Sequence, residues 1–182
     1  SLTAPNGQAQ RGLLYAALAD AAASPNSICV AETHGTGTAL GDPMEAGSLH
    51  GALVADRSES CSPVCVGGVK ANIGHAEAAA GMTGLLRLLV GLVGGSAPPN
   101  AQLRVLNPHV EGTMRGGGSV LPTQVASAQG DSIEASMGGV SSFGYSGTIA
   151  HAVLRYVAPS DVAKHEAVAK CPLYQRRIFQ WH

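Results

Sequence analysis

His34 stands in Glu32-Thr33-His34-Gly35-Thr36-Gly37-Thr38, and His75 closes Lys70-Ala71-Asn72-Ile73-Gly74-His75. Each follows an apolar, strand-like run and precedes a helix-like one, so two strand ends can bring both imidazoles to one reaction centre. A neutral imidazole donates a hydrogen bond near pH 7. A converging pair therefore suits a reaction in which negative charge develops on an oxygen. An isolated histidine is more often a satisfied core or surface residue, and His50, His109, His151, His165 and His182 read that way.

The elements that must carry the pair follow from pattern. Leu13, Leu14, Ala17 and Leu18 have helical spacing within a helix expected over Gln8–Ala23, which stops before Ser24-Pro25-Asn26. Ile28–Ala31 reads as a short buried strand. Asp42 as N-cap and Pro43 at the first helical position predict a second helix running to about Ala55, so Gly35–Gly41 links strand to helix. Val64–Lys70 predicts the next strand. Ala76 to about Val93 predicts a long helix whose Ala and Gly face permits close packing. Past Pro98-Pro99 comes a loop-rich passage with Asn107-Pro108 and Gly116-Gly117-Gly118, then two β-like runs, Ala135–Ser142 and Thr148–Val157, flanking a glycine loop. This order predicts an α/β fold with a mixed sheet packed by helices.

Composition narrows the function classes. With 182 residues, 45% hydrophobic and 13% charged, the chain has the make-up of a globular domain or half of a larger one. A net charge of -1 and scattered Lys and Arg lack the electrostatic footprint of a nucleic-acid binder; Arg57, Arg104 and Arg115 read as solvated surface. Cys29, Cys61, Cys65 and Cys171 form no CxxC pair and read as ordinary thiols, with no metal site implied. The apolar stretch Met82–Val93 is interrupted by Arg87 and Gly91 and falls short of the roughly 20 residues a bilayer needs, so a buried helix is expected there and no membrane span. No signal peptide is visible at Ser1–Asn6, and a cytoplasmic location is expected. Gly35–Gly41 misplaces the third glycine of a dinucleotide fingerprint, and no phosphate-cradling P-loop occurs. The glycines there suit close backbone approach to a ligand, with the Thr36 and Thr38 hydroxyls free to bond it.

Three segments, HGTGTALGDPMEA, VKANIGHAEAAAGMTGLL and SSFGYSGTIAH, resemble the carboxyl-half motifs of β-ketoacyl synthases, the ketosynthase domains of polyketide and fatty acid synthases. Leu2–Gly7 resembles the segment preceding them. The resemblance covers about residues 1–157, and residues 158–182 are expected to form a following linker, since Tyr174–Trp181 resembles the basic-aromatic segment after ketosynthases in modular synthases. That arrangement suits a synthase supplied by a separate acyltransferase, and a single-domain protein equally.

The resemblance implies the carboxyl half of a thiolase-like layered fold. It also implies decarboxylative Claisen condensation of a malonyl-type thioester with a Cys-bound acyl chain. None of the four cysteines sits in the family's nucleophile elbow, so the nucleophile is expected in an amino-terminal half, and this part alone is expected to be inactive. By the same resemblance His34 and His75 hold the enolate, and Lys70 orients the site and biases its protonation. Thr36 and Thr38 contact the pantetheine arm or merely cap the loop. Glu77 either supports the site or is a first-turn residue favoured by the helix dipole. Phe143, Gly144 and Tyr145 belong to a gating loop whose backbone N–H at Tyr145 serves an oxyanion hole; the alternative for Tyr145 is an aromatic plug over a turn. Ile149 stands where the family usually has Asn. No cofactor is bound directly; substrates are phosphopantetheine-linked on an acyl carrier protein. Expected partners are that carrier, the amino-terminal half of the domain and, in the complete enzyme, a second copy. The alternative is a non-catalytic half-domain that binds acyl carriers or other protein partners.

Overall fold

The computed structural model describes residues 5–101, 103–128 and 135–158. The aromatic run Tyr174–Trp181, His165, His182 and Cys171 lie outside the described residues, as do Leu2–Ala4.

Helix α1 spans Gly7–Asp20, capped by Asn6, whose side chain accepts from the Ala9 N–H at 3.1 Å. It ends three residues short of the expected Ala23, where Ala22 takes a positive φ of 48°. Strand β1, Ile28–Glu32, is buried along its whole length. Helix α2, Gly41–Leu49, continues through a π-helical turn to Val54. Asp42 is not its N-cap: Leu40 holds that position without a side-chain bond, and Asp42 Oδ1 instead accepts from the Gly37 N–H at 3.1 Å. The aspartate lies inside the first turn, so its carboxylate reaches back and ties the preceding loop.

Strand β2 is Val64–Gly67, shorter than expected. Lys70 does not lie on it but opens the one-turn helix α3, Lys70–Ile73. A 3-10 turn at Glu77–Ala79 then leads into α4, Ala80–Gly94. Gly74 separates α3 from His75 with φ 81°, a conformation that L side chains rarely adopt. The short pair β3 (Ser96–Ala97) and β5 (Ala126–Ser127) closes the segment after α4. The passage expected to be loop contains α5, Pro108–Met114, with Asn107 accepting from the His109 N–H and Pro108 at its start. Strands β4 (Ser119–Val120), β6 (Ala135–Phe143) and β7 (Ile149–Val157) complete the described elements.

The main sheet runs β4-β2-β1-β6-β7, parallel except for the final β6–β7 hairpin. One face carries α1, α2 and α5: Leu14, Leu18, Leu49, Leu53, Val110 and Met114 pack with Ile28, Val64 and Met137. On the other face Leu88 and Leu92 of α4 meet Val30, Cys65 and Val140. Helices on both faces explain why β1 and β2 are apolar without alternation. Gly84 lets α4 approach closely, since a Cβ there would sit 3.3 Å from Val140.

Two further expectations are corrected. Arg57 is half-buried and donates to the carbonyls of Pro25, Ile28 and Ser62, joining the start of β1 to the loop before β2. Helix α4 is buried on only one side: Met82, Leu86, Leu89, Val90 and Val93 form an outward stripe, with Val90 74% exposed. The helical run Glu77–Gly94, 18 residues of mean hydropathy 1.4, is long and apolar enough to cross a membrane by length and composition. Its Arg87, however, pairs with buried Glu32 of β1, which makes it a layer of this domain. A contiguous apolar stripe of this kind seeks a cover. The isolated chain should therefore self-associate, and the double substitution Leu86→Glu, Val90→Glu should return it toward monomer in light scattering. A wild-type chain that is monodisperse and melts cooperatively as a monomer would contradict this.

Candidate active site

His34 follows the carboxyl end of β1 in the sheet, beside the end of β2, and two buried carboxylates fix the backbone there. Glu45, on α2 and 5% exposed, accepts from the His34 N–H at 2.6 Å and from the Gly35 N–H at 2.8 Å. Glu32, 1% exposed, accepts from the Val69 N–H at 2.6 Å with one oxygen and pairs with Arg87 through the other. Arg87 also donates to the Pro98 carbonyl. Asn100 ties the end of β2 on its other side, accepting from the Gly68 N–H and donating to the Val66 and Pro122 carbonyls. Thr33 Oγ1 donates to the Gly67 carbonyl, crossing from β1 to β2.

Onto this frame the chain brings three rings. The His34 and His75 ring centres lie 5.9 Å apart, edge to face at 89°. Phe143, at the end of β6, lies 5.5 Å from His34, tilted by 50°. The expected histidine pair and the first residue of the glycine loop thus converge from three separate segments: the end of β1, the loop after α3 and the end of β6. His34 Nδ1 is buried with no hydrogen-bond partner among the described residues, and such an atom awaits a donor or acceptor from outside.

Burial, then the charge of Lys70 and then His75 lower the His34 pKa to about 4, so its imidazole is neutral at physiological pH. Lys70 itself is 9% exposed; burial pushes its pKa down, while Glu32 and Glu45 pull it up. Burial likewise pushes Glu32 up, opposed first by Arg87. Glu45 is pushed up to about 7 by burial, against the two backbone N–H groups it accepts from.

The remaining expected residues are placed less centrally. Thr38 Oγ1 accepts from the Gly41 N–H, which is loop capping. Thr36 is half-buried on the same loop. Glu77 is exposed, and no hydrogen bond or ion pair joins it to either histidine among the described residues. The hairpin tip closes through Gly144 N–H to Thr148 O at 2.6 Å and Gly147 N–H to Gly144 O at 3.0 Å. Tyr145, 86% exposed at that tip, is not a plug over the turn. Cys29 and Cys65 are buried thiols within the sheet, and Cys61 is half-buried. An open cleft of about 430 Å³ borders Thr33, Gly35, Gly68, Asn100 and Arg104; the imidazoles are not in its lining. Among the described residues no three His, Cys, Asp or Glu side chains gather as a metal centre requires.

Sequence reasoning missed Glu32, Glu45, Arg87 and Asn100. Glu32 ends an apolar run and Arg87 interrupts one, and a charged residue in such a place is the one signal in the sequence for them.

The folded-state pKa of Glu45, about 7 against an ordinary 4.5, means that the folded chain holds a proton which the unfolded chain has released between those values. Stability contributed by this group therefore falls as pH rises through that window. His34 has the opposite sign, because its depressed pKa makes stability rise with pH between about 4 and 6.5. The variant Glu45→Gln keeps the His34 contribution and loses the other. Its urea-unfolding free energy should gain about 3 kcal/mol on wild type from pH 4 to pH 8, and parallel curves would contradict the assignment.

Comparison with known proteins places this arrangement. A profile of the family described as beta-ketoacyl synthase, C-terminal domain, matches residues 1–104. A phenolphthiocerol/phthiocerol polyketide synthase of Mycobacterium tuberculosis is 43% identical over 157 residues, which is 84% of this chain and 8% of that protein. The mycoketide-CoA synthase of the same organism is 40% identical over 156 residues, 86% of this chain and 4% of that one. The chain thus spans a small fraction of the relatives' length. Among solved structures, the ketosynthase from module 6 of the bacillaene synthase of Bacillus subtilis 168 superposes with a TM-score of 0.77 at 30% identity, covering 88% of this chain and 30% of the other.

Proposed function

Because this chain belongs to the β-ketoacyl synthase family, as its carboxyl-terminal domain, we propose that it supplies the histidine half of a polyketide-synthase condensing centre. The observation that carries this reading is the convergence of His34 and His75, with His34 held neutral.

In the proposed reaction a malonyl-type thioester on a carrier's phosphopantetheine arm loses carbon dioxide, and the C–C electron pair becomes an enolate. That enolate attacks an acyl group on a cysteine of the amino-terminal half, forming the new C–C bond and releasing the thiolate. The enolate oxygen needs hydrogen-bond donors fixed before the charge appears. Two imidazole N–H groups provide them, His34 from the end of β1 and His75 from the loop between α3 and α4. His34 serves in its neutral form, which still donates one N–H but carries no buried charge, and the Lys70 charge helps keep it so. The loop Phe143–Gly144–Tyr145 takes the acyl thioester oxygen, and Thr36 with Thr38 lines the approach of the pantetheine arm; Glu77 has at most a supporting place. The amino-terminal half covers the α4 stripe, a second copy completes a homodimer, residues 158–182 form the linker, and the setting is cytoplasmic.

One observation favours the non-catalytic alternative. Ile149 opens β7 opposite Phe143, where an apolar side chain offers the gating loop no amide hydrogen bond.

The test uses the intact polypeptide joined to a Cys-bearing half. His34→Ala and His75→Ala should each lower malonyl decarboxylation and condensation by about 10²–10⁴-fold, while leaving acyl loading of the cysteine largely intact. The acid limb of the decarboxylation rate should fall below pH 5, because the His34 pKa is about 4. An acid limb centred near 6.5, or alanine variants that condense at wild-type rate, would sink the assignment. Binding of carrier protein with no condensation by the unaltered protein would favour the alternative.

A further inference from the structure

His151 is a half-buried titratable group that the proposed reaction does not use. It lies on β7 directly opposite Ser141 of β6, and its Nδ1 is 3.0 Å from the Ser141 Oγ. Ser141 is itself buried. The imidazole fills the space that residue 139 leaves empty: a Cβ on Gly139 would stand 2.6 Å from His151 Nε2. Consecutive glycines, Gly138 and Gly139, weaken a strand and mark a place where another group approaches closely. Here that group is the His151 ring, and its bond to Ser141 restores a side-chain tie between the strands just where β6 lacks side chains.

The position of this tie matters. Residues 139, 141 and 143 share one face of β6, because side chains alternate along a strand. Only the Ser142–Ala150 pair separates Ser141–His151 from Phe143–Ile149 at the mouth of the hairpin. Phe143 is the residue whose ring lies 5.5 Å from His34. Beyond it, the tip is held by the backbone bonds of Gly144 and Gly147, and Tyr145 stands in solvent. A strand that slips or frays here moves Phe143 and the Gly144 turn together, since register is weakly specified where glycines replace side chains.

We propose that the Ser141–His151 pair is a positioning device, which fixes the β6–β7 register so that Phe143 seats His34 and the turn presents the Tyr145 N–H in one place. The catalytic part of this statement rests on the condensing function proposed above. Burial lowers the His151 pKa to about 4, so the ring stays neutral, with one nitrogen free to accept from or donate to the serine hydroxyl.

Two substitutions separate the bond from the packing. His151→Phe keeps an aromatic ring over Gly139 and loses the bond to Ser141; His151→Gln keeps a polar partner and loses the ring. Both go into the intact polypeptide, beside Ser141→Ala and the double variant Ser141→Ala, His151→Phe. Hydrogen–deuterium exchange read on peptides covering residues 143–149 should speed up roughly fivefold in His151→Phe and Ser141→Ala, the weight of one net hydrogen bond. Peptides from β1 and β2 should be unchanged. Condensation should lose roughly tenfold in kcat at constant KM, the double variant should be no worse than either single one, and His151→Gln should recover most of both. Unaltered exchange at the tip in His151→Phe overturns the inference, as does a kcat loss that merely follows a lowered melting temperature across all regions. If the unaltered protein does not condense at all, the proposed function has failed, and the exchange measurement still decides whether the pair positions the tip.

Discussion

The buried Glu32–Arg87 pair is the interaction on which the rest of the site depends. Glu32 ends β1 two residues before His34, Arg87 lies in the middle of α4, and the second Glu32 oxygen holds the Val69 N–H, one residue before Lys70. One carboxylate therefore fixes the strand that delivers the first histidine, the turn that delivers the lysine and the helix that follows the second histidine. Removing one member of such a buried pair leaves the other without compensation, at a cost on the order of 3–5 kcal/mol. The pair's value here is geometric, because it joins both layers of the fold at the point where the chemistry-bearing loops leave the sheet.

Glu45 extends that frame to the other side of His34. By accepting from two successive backbone N–H groups, it sets the direction in which the loop leaves β1 and so aims the imidazole at His75 and Phe143. It also belongs to a compact charge system. Two buried carboxylates face one buried lysine, and the lysine in turn disfavours a charged His34. Carboxylate burial, lysine placement and the neutral imidazole are one electrostatic arrangement, linked through Lys70.

The outer stripe of α4 shows the same domain from its incomplete side. Its inner face is committed to the sheet through Leu88 and Leu92, while Met82, Leu86, Val90 and Val93 remain uncovered. The long apolar helix is thus neither a wholly buried core helix nor an independent span: it is a middle layer with one neighbour described. The solved ketosynthase that superposes on this chain is more than three times its aligned length, which is consistent with a layer that continues beyond it.

By itself the sequence determined the family, the alternation of strands and helices and the terminal hairpin, and it singled out His34, His75, Lys70 and Phe143 as candidates for one site. Those features are legible because they are written in local spacing: period, caps, glycine turns and motifs a few residues long. The tertiary structure decided what surrounds them. Glu32 and Arg87 are 55 residues apart, and Glu32 and Val69 are 37 apart, so no local pattern reveals their bonds. Asp42 looked like a helix cap because residue type at that spacing suggests it, but the fold turned its carboxylate to the Gly37 loop. Lys70 looked like a strand end until Gly67 closed the strand and a single helical turn buried the lysine beside two carboxylates. Helix α5 was hidden because seven residues carry too little periodicity to announce themselves, and only packing of Val110 and Met114 against the core makes them a helix. The neutrality of His34 and the reach of His151 to Ser141 belong to the same class. Both depend on desolvation and on partners delivered by other segments of the fold, and desolvation exists only after the chain has folded.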